Sequence, residues 1–213
     1  MRWPPGICDA VREEDPPALH HDDREQPRND GTERLRLEPL GPEHFDGAWA
    51  ALHDVEARRL TGTHAVFTPE QIRVWLQTRA AETDRADWAV IRREDGAYLG
   101  EVVLSELDPD NASVEFRIAL ASSEVFGRGY GTEATRAVVA HALDDLGLHR
   151  IGLEVFAFNP RAQRVYEKCG FTVEGRRRDA LLWDGAWVDA VSMAILAGDP
   201  RPHRGPDSAL PKG

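Results

Sequence analysis

One stretch constrains the fold more than any other. Residues 126–134 read Phe126-Gly127-Arg128-Gly129-Tyr130-Gly131-Thr132-Glu133-Ala134. Ahead of it, Ser113 to Leu120 has the composition of a strand. After it, Thr132 to Leu146 carries an apolar stripe at helical spacing, Ala134, Val138 and Ala142, widened by Val139, Leu143 and Leu146. Gly147 is a natural terminator. A strand that runs through glycines into a helix N-terminus makes a nest of backbone N–H groups. Glycine lets that backbone approach an anion with no Cβ in the way, and Arg128 adds positive charge. The chemistry fits a phosphate or diphosphate, although glycine turns before helices are often only tight turns. A P-loop would need lysine before Thr132, and a dinucleotide fingerprint would need a Gly-x-Gly-x-x-Gly spacing after a first strand. Neither is present.

The flanking sequence reads as a mixed α/β domain. Leu35, Leu37 and Pro39 alternate with Arg34, Arg36 and Glu38, as in an edge strand. Pro42 opens a helix carrying Phe45, Trp49 and Leu52 on one face. Thr68-Pro69-Glu70-Gln71 is a capping box ahead of Ile72, Trp75 and Leu76. Trp88–Ile91 and Tyr98–Leu104 read as strands around the hairpin signal Asp95-Gly96. Arg150–Phe158 lacks a clean polar face, as in a sheet covered on both sides. Two final strands flank Asp184-Gly185. The expected order is a strand, two helices, three strands, a helix, a strand, a helix and a hairpin.

A second constellation follows about thirty residues after the glycines. Asn159 caps and Pro160 opens a short helix that Gly170 closes. Ala162, Val165, Tyr166 and Cys169 fall on one face, and Arg161, Arg164 and Lys168 on another. An inward phenol can reach a reaction centre and a basic face can meet phosphates. For one helix alone, a core aromatic beside solvated cations is the plainer reading.

Composition narrows the class. The chain has 213 residues, 41% of them hydrophobic, and a formal net charge of −11. That charge disfavours nucleic acid as a partner and mildly favours a cationic substrate. No apolar run is long enough for a membrane span, and no CxxC or His/Cys cluster points to a metal. With only two cysteines, Cys8 in a polar tail and Cys169 in an expected helix, the sequence suggests no disulfide framework. With no secretory signal in Met1 to Ala10, the expected location is the cytoplasm. Residues 1–31, with Pro16-Pro17 and His20-His21, and residues 199–213, with Pro200, Pro202, Pro206 and Pro211, read as polar tails around a domain at 32–198.

The glycine segment resembles the acyl-CoA pyrophosphate loop of the GNAT acetyltransferases. Asn159-Pro160-Arg161-Ala162 with Tyr166-Glu167-Lys168-Cys169-Gly170-Phe171 resembles the family's later signature. The run Arg178-Asp179-Ala180 to Trp183-Asp184-Gly185, then Asp189-Ala190-Val191, is similar to the RimJ/RimL-like branch. Phe126 departs from the family's usual Gln or Arg. The resemblance implies a mostly antiparallel sheet with one splayed parallel pair, Ser113–Leu120 and Arg150–Phe158, flanked by helices. It also implies acetyl-CoA as acyl donor. Ile118, Ala119 and Leu120 would pair with the pantetheine. Gly127, Arg128, Gly129, Tyr130, Gly131 and Thr132 would hold the diphosphate. Asn159, Arg161 and Arg164 would make further cofactor contacts.

Direct transfer to an amine is implied too, with no acyl-enzyme. Tyr166 matches the family's general acid. Glu115, and less so Glu101, are candidates for the base, and a backbone N–H near Leu120 for the oxyanion donor. His64 precedes the second expected helix, in a region that often shapes the acceptor pocket of the resembled family, a surface loop histidine being the plainer reading. The expected partner is a small-molecule amine or a protein N-terminus, with a homodimer by analogy alone. The competing classes are a non-catalytic acyl-CoA sensor of the same fold and an unrelated nucleotide binder.

Overall fold

The structure is a computed structural model that describes residues 32–201. The tail expected at 1–31, with Cys8, His20 and His21, lies outside the described residues, as do residues 202–213 of the C-terminal tail.

Strand β1 is Leu35–Pro39, with Leu35 and Leu37 turned into the core and Arg36 outward. Three helices follow: α1 (Phe45–Ala51), α2 (Val55–Thr61) and α3 (Pro69–Thr78). The capping box of Thr68 and Gln71 is formed at the start of α3. Helix α2 is one more than the sequence pattern predicts. It presents a single buried residue, Ala57, so it has no apolar stripe to read. It is set by Asp54, whose side chain caps the Ala57 N–H, and by Gly62 in the left-handed region.

Strands β2 (Ala86–Arg92), β3 (Tyr98–Asp108) and β4 (Ser113–Leu120) form an antiparallel meander. The third runs four residues past its expected end, through an irregularity at Ser105–Asp108 where Glu106 has positive φ. Helix α4 is Tyr130–Ala140, starting two residues earlier than expected, and its last turn, His141–Asp145, widens to a π-helix. Strand β5 (Arg150–Phe156) stops two residues short of the predicted end. Helix α5 is Pro160–Lys168, and β6 (Thr172–Trp183) and β7 (Ala186–Leu196) complete the chain. Asp184 and Gly185 both take positive φ in the β6–β7 turn, as a two-residue hairpin requires.

The sheet order is β1-β2-β3-β4-β5-β7-β6. Every neighbouring pair is antiparallel except β4 and β5. One face carries the larger core, where Val102, Leu104, Phe116, Ile151 and Met193 meet Ala134, Val138 and Tyr166 from α4 and α5. The other face, at β1 to β3, carries a smaller core of Leu40, Ala48, Ile72, Leu76, Ala89 and Ile91 under α1 and α3. Helices on both faces explain why β2 is buried along six consecutive residues. Among the described residues, no helix is long and apolar enough to cross a membrane.

The parallel pair positions the site. It holds over three rungs: Ser113 with Arg150, Val114 with Ile151 and Glu115 with Gly152. Beyond Glu115 and Gly152 the strands diverge, although β4 continues to Leu120 and β5 to Phe156. The facing backbone groups of the two strands have no ladder there, so they are available to an extended ligand.

Candidate active site

The divergence opens a cleft of about 780 Å³. Its walls include Glu115, Ile118, Ala119, Leu120, Gly127, Gly129, Tyr130, Gly131, Thr132, Asn159, Arg161, Arg164 and Tyr166. These are the sequence-derived candidates except Glu101 and Arg128, gathered from β4, the glycine loop and α5.

The loop is built for an open helix end. Gly127 and Gly129 sit at φ 74° and 86°, a region costly for other residues. Gly129 is the N-cap of α4 and offers no side chain to the first helical N–H groups. The earliest such bond of the helix is Glu133 N–H to the Gly129 carbonyl, which leaves the N–H groups of Tyr130, Gly131 and Thr132 free of helical partners. Uncapped donors and the positive end of the helix dipole favour an anion. Phe126 lies in the cleft wall with the Arg161 guanidinium 4.4 Å above its ring. The residue that departs from the resembled pattern thus holds a cation at the glycine-loop end of the cleft.

Arg128 does not line the cleft; its carbonyl accepts from Arg34 Nη1 at 2.9 Å. Arg34 also donates through Nε to Glu133 Oε2 and through its backbone N–H to Glu133 Oε1, each at 2.8 Å. Its guanidinium packs over the Tyr130 ring at 4.9 Å. This clamp on the glycine loop was missed in the sequence, where the two ends of the contact stand far apart.

Helix α5 brings the second constellation. Asn159 Oδ1 accepts from the Ala162 N–H at 3.1 Å, which leaves the side-chain NH2 of Asn159 for the cleft. Tyr166 is buried edge-on to Phe116, at 6.1 Å, and to Phe171, at 5.9 Å. Burial pushes its phenol pKa well above the ordinary value, so the group stays protonated at neutral pH. Cys169 is buried, its thiol pushed by burial up to about 11, which disqualifies it as a nucleophile.

The register separates the two carboxylates that the sequence left in competition. Glu115 lies over Gly152 on the last paired rung, where a Cβ on residue 152 would overlap its carboxylate. Desolvation raises its pKa first, helped by the negative charges of Glu106, Glu154 and Glu174 against the opposing Arg150. Glu101 instead lines a second cavity, of about 400 Å³, between β3–β4 and helices α1 to α3. It is ion-paired with Arg117, Nη2 to Oε1 at 2.7 Å. The cavity and the cleft share Ala57, Thr61, Arg117, Ala119 and Leu120, so they meet beside the end of β4. His64 lines neither; it is exposed and stacked on Trp183 with ring centroids 4.8 Å apart. Among the described residues, no group of three or more His, Cys, Asp or Glu is arranged to hold a metal ion.

Comparison with known proteins gives a consistent picture. The acetyltransferase (GNAT) domain matches residues 34–172. The uncharacterized N-acetyltransferase YoaA of Bacillus subtilis (strain 168) is 27% identical over 168 residues, 78% of this chain and 94% of that protein. The spermidine N(1)-acetyltransferase of Vibrio cholerae is 34% identical over 98 residues, 46% of this chain and 56% of that protein. In fold, the crystal structure of spermidine N-acetyltransferase from Vibrio cholerae in complex with CoA and spermine superposes with a TM-score of 0.71. It is 22% identical and covers 77% of this chain and 96% of that one.

Proposed function

The chain belongs to the acetyltransferase (GNAT) domain family, and from that premise we propose how residues 32–198 move an acetyl group from acetyl-CoA to a primary amine. The observation that carries the reading is the cleft itself, an unpaired strand edge that leads to an uncapped helix N-terminus. A pantetheine arm is extended and rich in amides, so it can pair with β4 near Ile118–Leu120 as an added strand would. The diphosphate then meets the N–H groups of Tyr130 to Thr132, with Arg161 and Arg164 toward the nucleotide phosphates.

The chemistry is a direct displacement. The neutral amine nitrogen attacks the thioester carbonyl carbon; a C–N bond forms and the C–S bond breaks. The amine loses a proton and the departing thiolate gains one. Tyr166 supplies the proton to sulfur, and Glu115, with its raised pKa, receives the amine proton directly or through water. Glu101 faces the acceptor cavity and holds the amine there.

The acceptor is a small-molecule amine. The spermidine acetyltransferase relatives support that class over a protein N-terminus. The segment Trp183-Asp184-Gly185 in the β6–β7 hairpin favours the RimJ/RimL-like branch.

Calorimetric titration tests the reading. Acetyl-CoA should bind in the micromolar range, about −8 kcal/mol, and ATP should not compete. Absence of CoA binding would reduce the glycine loop to a structural turn and end the transferase reading.

A further inference from the structure

The smaller cavity states what kind of amine it takes, and this inference rests on the transferase reading above. Its apolar walls include Leu52, Phe67, Ile72, Trp75, Tyr98 and Leu120, three of them aromatic. Space for Tyr98 is made by Gly47 in α1, where a Cβ would run into the ring. Charge is sparse. Among the cavity's lining residues Glu101 is the one carboxylate, its side chain 14% exposed and already paired with Arg117. The two cations are Arg117 and Arg58, and Arg58 donates to the carbonyls of Thr63, His64 and Ala65.

A polyamine bound here would bring two or three ammonium groups to a wall with one carboxylate and two guanidiniums. Each ammonium past the first would lose water and find hydroxyl or amide groups such as Thr61, Thr63 and Gln71 but no second carboxylate. An amine on an aromatic or branched apolar body meets the opposite situation. Its body replaces water against Trp75, Ile72 and Phe67, and its one nitrogen reaches the free oxygen of Glu101. That end of the cavity adjoins Ala119 and Leu120, where it meets the cleft.

We propose that the acceptor is a monoamine with an apolar body, of the arylalkylamine type, and not a polyamine, although several relatives acetylate spermidine by name. The step is the transfer already described: the amine becomes an acetamide and acetyl-CoA becomes the free thiol.

The test uses the full chain with saturating acetyl-CoA and three acceptors: phenethylamine, spermidine and a short peptide with a free N-terminus. Thiol release and product mass are read together, beside calorimetric binding of acetyl-CoA. Phenethylamine should exceed spermidine in kcat/KM by about tenfold or more, the discrimination expected when unpaired charges are buried. Two variants probe the pocket. Ala51→Leu fills it, and Phe67→Ala trims a partly exposed wall residue outside any helix or strand, which spares the core. Both should raise the phenethylamine KM several-fold, with acetyl-CoA affinity unchanged. Acetyl-CoA binding with spermidine or the peptide preferred, with no amine acetylated, or with KM unmoved in both variants would overturn the acceptor class. Failure to bind acetyl-CoA at all would overturn the transferase reading, and this inference with it.

Discussion

Arg34 and Glu133 stand 99 residues apart and are joined by two hydrogen bonds of 2.8 Å, one from the Arg34 backbone and one from its guanidinium. Together with the bond to the Arg128 carbonyl, this ties the start of β1 to the glycine loop. Replacing Arg34 with alanine should therefore loosen the loop. Affinity for CoA should fall by about 1 kcal/mol, roughly fivefold, with little change in acceptor KM. Lysine should not restore it, because an ammonium lacks the fork that engages two acceptors at once. Calorimetry on both variants decides; full rescue by lysine would mean that charge alone matters.

Tyr166→Phe keeps the ring packed against Phe116 and Phe171 and removes only the hydroxyl. CoA binding should survive while turnover drops by about 10- to 100-fold, the lower range for lost acid catalysis. Single-turnover rates measure it, and an unchanged rate would strip Tyr166 of the role.

Two glycines should respond in opposite ways. At Gly152 the obstructing atoms are the end of the Glu115 side chain, which can swing aside. Gly152→Ala should cost about 0.5 kcal/mol or less in stability yet slow turnover about tenfold by displacing the base. At Gly100 the obstruction is the Ala119 backbone carbonyl, and φ is 144°. Gly100→Ala should cost about 2 kcal/mol or more. Urea melts beside steady-state rates separate the two; equal destabilisation would contradict the contact geometry.

The raised pKa of Glu115 sets a pH dependence. A carboxyl whose folded value lies above its usual 4.5 contributes most to the fold when protonated. That contribution is complete below the usual value and is lost as pH rises through the folded value. Glu115→Gln stays neutral throughout. It should match the parent below about pH 4 and exceed it in stability at neutral pH, while losing activity. A stability gain confined to acid would reverse the sign and disprove the account.

The parts of this molecule that were legible in the sequence are those whose cause is local. Gly127 and Gly129 announce positive φ, Asn159 and Pro160 announce a helix start, and the spacing of Ala162, Val165, Tyr166 and Cys169 turns the phenol inward. Helix α2 escaped because it buries Ala57 alone and leaves Val55 79% exposed, so periodicity carried no signal. The Arg34 clamp escaped because its partners come from another part of the chain. Glu101 and Glu115 are both central-strand carboxylates, with Glu115 only slightly favoured by its strand, and it is the pairing of β3, β4 and β5 that assigns them to different compartments. The smaller cavity was invisible for the same reason: its walls come from α1, α2, α3, the segment between α2 and α3, and two strands.

Three rungs between β4 and β5 also make the sheet two plates joined at a short seam, four strands on one side and three on the other. The glycine loop leaves the end of the four-strand plate, whereas α5, which carries Tyr166, connects β5 to β6 within the three-strand plate. The plates are nonetheless braced against each other: the Tyr166 ring packs on Phe116 of β4 and the Cys169 thiol approaches the Thr132 carbonyl at 3.8 Å, so α5 holds the phenol to the plate that carries the glycine loop, and a molecule lying in the opening would touch both plates.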